Sequence, residues 1–133
     1  MIVVDTNVLV DVLEDDPDWA EWSIARMRGL SRVHELAINP VIYAEVSVIF
    51  AAFEDLEAAI SDLQLKFLEI PRAALFLAGK AFVRYRRQAG AKTNVLSDFF
   101  IGAQAAVLHC PILTRDTRRY RSYFPTVELI APD

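Results

Sequence analysis

The chain has 133 residues, 54% hydrophobic and 24% charged, with 4 Gly, 6 Pro and a single Cys. That composition excludes a disordered, collagen-like or disulfide-stapled protein and leaves one globular domain, residues 1–133, with a sizeable core. The net charge of −4 is not that of a protein coated with nucleic acid, yet residues 1–66 hold 13 acids against 4 bases and residues 67–133 hold 5 acids against 10 bases. An imbalance of this kind suggests an acidic site beside a basic surface.

In chain order, Ile2-Val3-Val4 reads as a short buried strand ending on Asp5. Residues 19–29 read as a helix, with Asp16 as N-cap, Pro17 in the first position and Gly29 near the end. Residues 36–38 form a second strand. Asn39-Pro40 then opens a helix through about Phe53, and residues 55–66 form another. Residues 67–70 give a weaker strand. Residues 72–88 make a long amphipathic helix, with Leu75, Ala78, Phe82 and Tyr85 on one stripe and Gly90 as the stop. Ser97 is the expected N-cap of a helix over residues 98–109, and strands follow at 111–114 and 127–130. Apolar strands alternating with helices predict an α/β fold, an α/β/α sandwich around a short-stranded, mainly parallel sheet. Ligands of such sheets bind beyond the carboxyl ends of the strands, where Asp5 and Asp116 fall. The most apolar stretch, residues 41–53, is too short to span a bilayer and carries Glu45. With no targeting pattern and one thiol, a cytoplasmic protein without membrane contact is expected.

Four acids stand in apolar surroundings. Asp5 follows Ile2-Val3-Val4, Glu45 is the only ionisable group between Pro40 and Phe53, Asp98 opens an otherwise uncharged helix, and Asp116 closes a strand. A buried carboxylate must protonate, pair or bind a cation. Several sharing one pocket with few basic neighbours point to a divalent ion, and all-oxygen ligands suit Mg²⁺ or Mn²⁺ rather than zinc. Gly102 lies one turn after Asp98 and would leave room there for a metal or phosphate. The bland readings are a turn residue for Asp5, a first-turn charge for Asp98, a helix cap for Asp116 and plain helix packing for Gly102.

Taken together, Val3-Val4-Asp5-Thr6-Asn7-Val8-Leu9-Val10-Asp11, Asn39-Pro40-Val41-Ile42-Tyr43-Ala44-Glu45, Asp98-Phe99-Phe100-Ile101-Gly102-Ala103-Gln104-Ala105 and Leu113-Thr114-Arg115-Asp116 resemble the PIN-domain ribonucleases. Within these the chain is similar to the VapC-type toxins of prokaryotic toxin–antitoxin pairs. The resemblance covers essentially the whole length. It implies a Mg²⁺- or Mn²⁺-dependent endoribonuclease with catalytic acids Asp5, Glu45, Asp98 and Asp116. Of these, Asp5, Asp98 and Asp116 would hold metal, with Thr6, Asn7 and Thr114 in support. It also implies an RNA substrate, a cognate antitoxin and a homodimer. The loop over residues 91–97 departs from the Gly- and Pro-rich family version. Arg115, Arg118 and Arg119 are candidate RNA contacts, and Arg84, Arg86, Arg87 and Lys92 form a second basic cluster. Two other readings stand beside this one. One is a PIN-like module that binds RNA or protein without turnover. The other is a haloacid-dehalogenase-like phosphatase, which would want a second acid where Asn7 stands.

Overall fold

The strands are the shortest elements, and the three central ones are the most deeply buried. In the computed structural model, which describes residues 1–88, 90 and 95–133, β1 (Ile2–Val4) and β2 (Leu36–Ile38) are buried at every position. β3 (Lys66–Phe67), β4 (Ile112–Leu113) and β5 (Leu129–Ile130) complete a sheet of order β3-β2-β1-β4-β5, with every pairing parallel. Runs of Ile, Val and Leu without alternation are what a sheet covered on both faces requires. The order reverses between β1 and β4, so a crevice opens beyond the carboxyl ends of those two strands. The Asp5 N–H extends the ladder to Leu113 O at 2.9 Å, which pins its backbone at the lip of that crevice.

A helix that the sequence pattern did not suggest follows at once. α1 (Thr6–Leu13) is rich in β-branched Val, which disfavours an isolated helix. It forms because Asp5 caps it and Val8, Leu9 and Asp11 are buried against the rest of the molecule. α2 (Ala20–Ser31) begins one residue later than expected, and Asp16 instead caps the turn before it, accepting from the N–H groups of Asp18 and Trp19 at 2.9 Å each.

The helix expected from Asn39-Pro40 through Phe53 is two helices, α3 (Pro40–Ser47) and α4 (Phe53–Asp62). The Ser47 hydroxyl bonds back to Ala44 O at 2.6 Å, and the following N–H groups of Ile49 and Phe50 close tight three-residue turns instead of continuing the helix.

α5 (Arg72–Arg87) and α6 (Leu96–Leu108) pack along each other. The buried stripe of α5 is Ala74, Ala78 and Ala81, which allows close approach, whereas Leu75 is 43% exposed. Gly90 has no positive φ and is not a left-handed stop; its bare Cα lies against the Tyr85 ring. α6 starts before Ser97, which makes no cap bond, and it is buried almost all round. α7 (Arg118–Tyr123) packs on α6. Lys92 and most of the loop before Asp98 lie outside the described residues.

A buried polar relay ties the layers together. Asn39 caps α3 by accepting from the Ile42 N–H at 2.8 Å and donates to Gln104 Oε1 at 2.9 Å, and Gln104 donates to Glu69 O at 3.1 Å. Both amides are fully buried, so the relay locks α3 against α6 and thereby sets Glu45 relative to Asp98.

Candidate active site

Asp5 sits at the centre of the crevice and is 4% exposed. Its Oδ1 accepts from the Thr6 N–H at 2.8 Å. Its Oδ2 accepts from Thr114 Oγ1 at 2.8 Å, from the Tyr120 hydroxyl at 2.9 Å and from Asn7 Nδ2 at 3.3 Å. Burial pushes its pKa up to about 6; the Thr114 and Tyr120 donors resist that rise, and the Asp98 charge adds to it. Desolvation therefore outweighs four hydrogen bonds, as expected for an anion deprived of water and facing another anion.

The supporting polar residues are woven around this carboxylate. Thr6 Oγ1 donates to Glu45 Oε1 at 2.7 Å, which links the first turn of α1 to α3. Asn7 Oδ1 accepts from the Arg115 N–H at 3.0 Å, and its Nδ2 also donates to Thr114 Oγ1 at 3.2 Å. Thr114 Oγ1 accepts in addition from the Asp116 N–H at 3.0 Å, shaping the turn after β4. Asp98, in the first turn of α6, accepts from Arg119 Nη1 at 2.9 Å, with both side chains 27% exposed. Burial raises the Asp98 pKa; Arg119 opposes the rise, while Asp116 and Glu45 reinforce it.

Asp5, Glu45 and Asp98 line one cleft with Thr6, Asn7 and Arg115, and Asp116 lines an adjoining depression. Their exposure is unequal, contrary to the expectation of four buried acids. Asp5 is buried, Glu45 and Asp98 are half-buried, and Asp116 is exposed on its turn. Among the described residues no three acidic, histidine or cysteine side chains stand close enough to ligate one ion as they are. Asp98 is turned to Arg119 and Asp5 Oδ2 already has three donors, so the acids are coupled through charge without forming a closed cage. The donor chemistry nonetheless fits a hard divalent cation. It is all oxygen, and the raised pKa of Asp5 and Asp98 reports desolvation first and repulsion by neighbouring acids second, both of which a cation would relieve.

A family model, the PIN domain, matches residues 2–125. The chain belongs to the PIN-domain family. No curated protein matches it in sequence. Among solved structures it is similar to VapBC2 of Rickettsia felis bound to a DNA fragment from its promoter (17% identity, TM-score 0.75, all of both chains covered). It is also similar to VapBC-1 of nontypeable Haemophilus influenzae (17% identity, TM-score 0.73, 98% of each chain) and to FitAcB of Neisseria gonorrhoeae (17% identity, TM-score 0.69, 99% of this chain and 98% of that one). With the PIN family in place, the haloacid-dehalogenase-like reading is set aside.

The PIN domain departs from the sequence reading at three points. Gly102 does not leave space for a ligand: a Cβ there would collide with the Phe124 ring, so the glycine admits that ring against α6. Arg115 is not a free basic arm. Its Nε and Nη2 donate to Asp11 at 2.6 and 2.8 Å, and its guanidinium lies 4.8 Å from the Trp19 ring centroid. Asp11, 2% exposed and also bonded by the Ser23 hydroxyl at 2.8 Å, is the second buried carboxylate, one to which the sequence pattern gives no role. An acid on an otherwise apolar helical run was the signal, but it reads as such only once that run is known to be a helix. Tyr120 belongs to the buried core and also gives its hydroxyl to Asp5. His34 and His109 are both exposed and take no part in the site.

Proposed function

We propose that this PIN domain is a metal-dependent endoribonuclease, the toxin of a toxin–antitoxin pair, acting in the cytoplasm. The observation that carries the reading is the buried Asp5 carboxylate, held up at about 6 and facing Asp98 across a cleft at the sheet's switch point. A fold does not retain several mutually repelling acids for stability, because apolar or neutral replacements would be less costly. Asp5, Asp98 and Asp116 would hold Mg²⁺ or Mn²⁺. When bound, such an ion lowers the pKa of a coordinated water and neutralises charge on phosphate oxygens.

The chain's own residues supply the rest. Glu45, oriented by the Thr6 hydroxyl, accepts the proton of the attacking water. That water forms a new P–O bond as the P–O bond to the leaving ribose oxygen breaks, and the leaving oxygen takes a proton from solvent. Tyr120, Thr114 and Asn7 fix Asp5 in one rotamer, and Arg115, anchored on Asp11, fixes the β4–α7 turn that carries Asp116. The solved VapBC and FitAcB complexes support an antitoxin as partner. Exposed Leu75, Phe76 and Val83 on α5 support protein contacts, with a second copy in a homodimer as one of them. Among the described residues no helix is long and apolar enough to cross a membrane.

The Asp98–Arg119 ion pair, with the acids too far apart to close on one ion as they stand, favours a module binding RNA without cutting it. Incubating a mixed RNA pool with Mg²⁺, Mn²⁺ or EDTA, wild type beside Asp98→Asn, decides between the two. Metal-dependent cuts lost in the variant support the nuclease, and intact RNA with a folded, metal-loaded wild type supports the binder.

A further inference from the structure

We propose that the RNA strand leaves the catalytic cleft on one side only, over a phosphate-binding face built jointly by the last turn of α5 and by α7. This rests on the nuclease reading above and adds the path of the substrate. The charge imbalance along the chain becomes an imbalance in space. On one rim the cleft is lined by Asp11 and Asp16, and the turn between α1 and α2 adds exposed Glu14, Asp15 and Asp18, with Glu21 exposed at the start of α2. Arg115, on that rim, is neutralised by Asp11. A polyanion crossing there would meet like charge.

The opposite rim is a depression lined by Tyr85, Asp116, Arg118, Arg119, Ser122 and Tyr123. Arg119 joins it to the cleft, since the same side chain reaches Asp98. The second basic cluster arrives at this place from α5. The Arg84 guanidinium lies 5.2 Å from the Tyr123 ring centroid, and the Tyr123 hydroxyl donates to Gln88 Oε1 at 2.7 Å. Two clusters some thirty residues apart in sequence thus meet at Tyr123, where Arg84 of α5 and Arg118 of α7 are both exposed.

Helix electrostatics account for only part of it. The arginines ending α5 complement its dipole, but Arg118 and Arg119 open α7, where a cation is disfavoured. Exposed guanidinium groups beside a phosphodiester-cleaving cleft fit the backbone phosphates of a single strand.

The test measures fluorescence anisotropy of a short, labelled, mixed-sequence single-stranded RNA across a KCl series. The protein is the uncut Asp5→Asn form, checked against wild type in EDTA. Arg84→Gln with Arg118→Gln, both on exposed positions, should weaken binding on the order of tenfold and flatten the log K against log salt slope by about 1.4, since each phosphate contact on a single strand contributes about 0.7. Asp15→Asn with Asp18→Asn, on the far rim, should shift affinity by less than about twofold. Parent-like binding by the arginine pair, with wild type still cutting RNA, would remove the path and leave the nuclease reading intact. It would hand this face to an acidic protein partner. Tightening by the aspartate pair comparable to the arginine loss would put the strand over the other rim. A wild type that neither binds nor cuts RNA would remove both readings together.

Discussion

Replacing Asp5 by Asn should stabilise the metal-free protein at neutral pH while abolishing cleavage. The carboxyl is buried and its pKa stands at about 6 against an ordinary 3.8. A folded-state pKa above the unfolded value means that the folded state binds the proton more tightly. The stability that the protonated carboxyl contributes is complete below about pH 4 and is lost as pH rises through about 6. Roughly two pH units correspond to about 3 kcal/mol, missing from the wild type at about pH 8 and never missing from an amide. The amide has a cost of its own. The two Asp5 oxygens accept four hydrogen bonds, and one side of Asn would turn N–H groups toward the donor on Thr6 or those on Thr114 and Tyr120. That mismatch is worth about 1 kcal/mol. Urea unfolding in EDTA should therefore find Asp5→Asn less stable than wild type by about 1 kcal/mol at about pH 4 and more stable by about 2 kcal/mol at about pH 8. Titrating groups that do not interact with Asp5 cancel in the difference. A difference that did not move with pH, or that grew more destabilising toward pH 8, would refute the reasoning, because it would mean that the four donors hold the ionised form more tightly than burial disfavours it.

Arg119→Gln removes the cation that competes for Asp98, and Mn²⁺ affinity measured by calorimetry should rise about fivefold, the equivalent of about 1 kcal/mol for a half-buried pair; unchanged or weaker binding counts against the competition. Arg115→Gln leaves Asp11 buried and unpaired and should destabilise the fold by about 3 kcal/mol, with Asp11→Asn added to it restoring much of the loss. Additive losses in that cycle would deny the brace between α1 and the β4–α7 turn. Gly102→Ala should lower stability by about 1 to 3 kcal/mol despite the better helix propensity of alanine, because the new methyl meets the Phe124 ring; a higher melting temperature would show that α7 can shift aside at little expense.

What the sequence determines by itself are the features that rest on local composition. Ile2-Val3-Val4 and Leu36-Ala37-Ile38 are buried parallel strands because nothing in them faces water, and Asn39-Pro40 opens a helix because an amide cap and a fixed φ favour it. The four motifs that carry Asp5, Glu45, Asp98 and Asp116, in this order and at these spacings, are enough to resemble the PIN family. The tertiary structure decided the rest. α1 was invisible because its valines disfavour an isolated helix, and only the Asp5 cap and burial against the rest of the molecule overcome that preference. The break after Ser47 depends on one hydroxyl turning back to Ala44. Which acid is buried, which is exposed and which is held by an arginine follows from contacts between residues 21 to 115 positions apart, as do Tyr120 on Asp5, Arg119 on Asp98 and Arg115 on Asp11. Periodicity records the face a side chain occupies, whereas its charge state and partner depend on what the fold brings against that face.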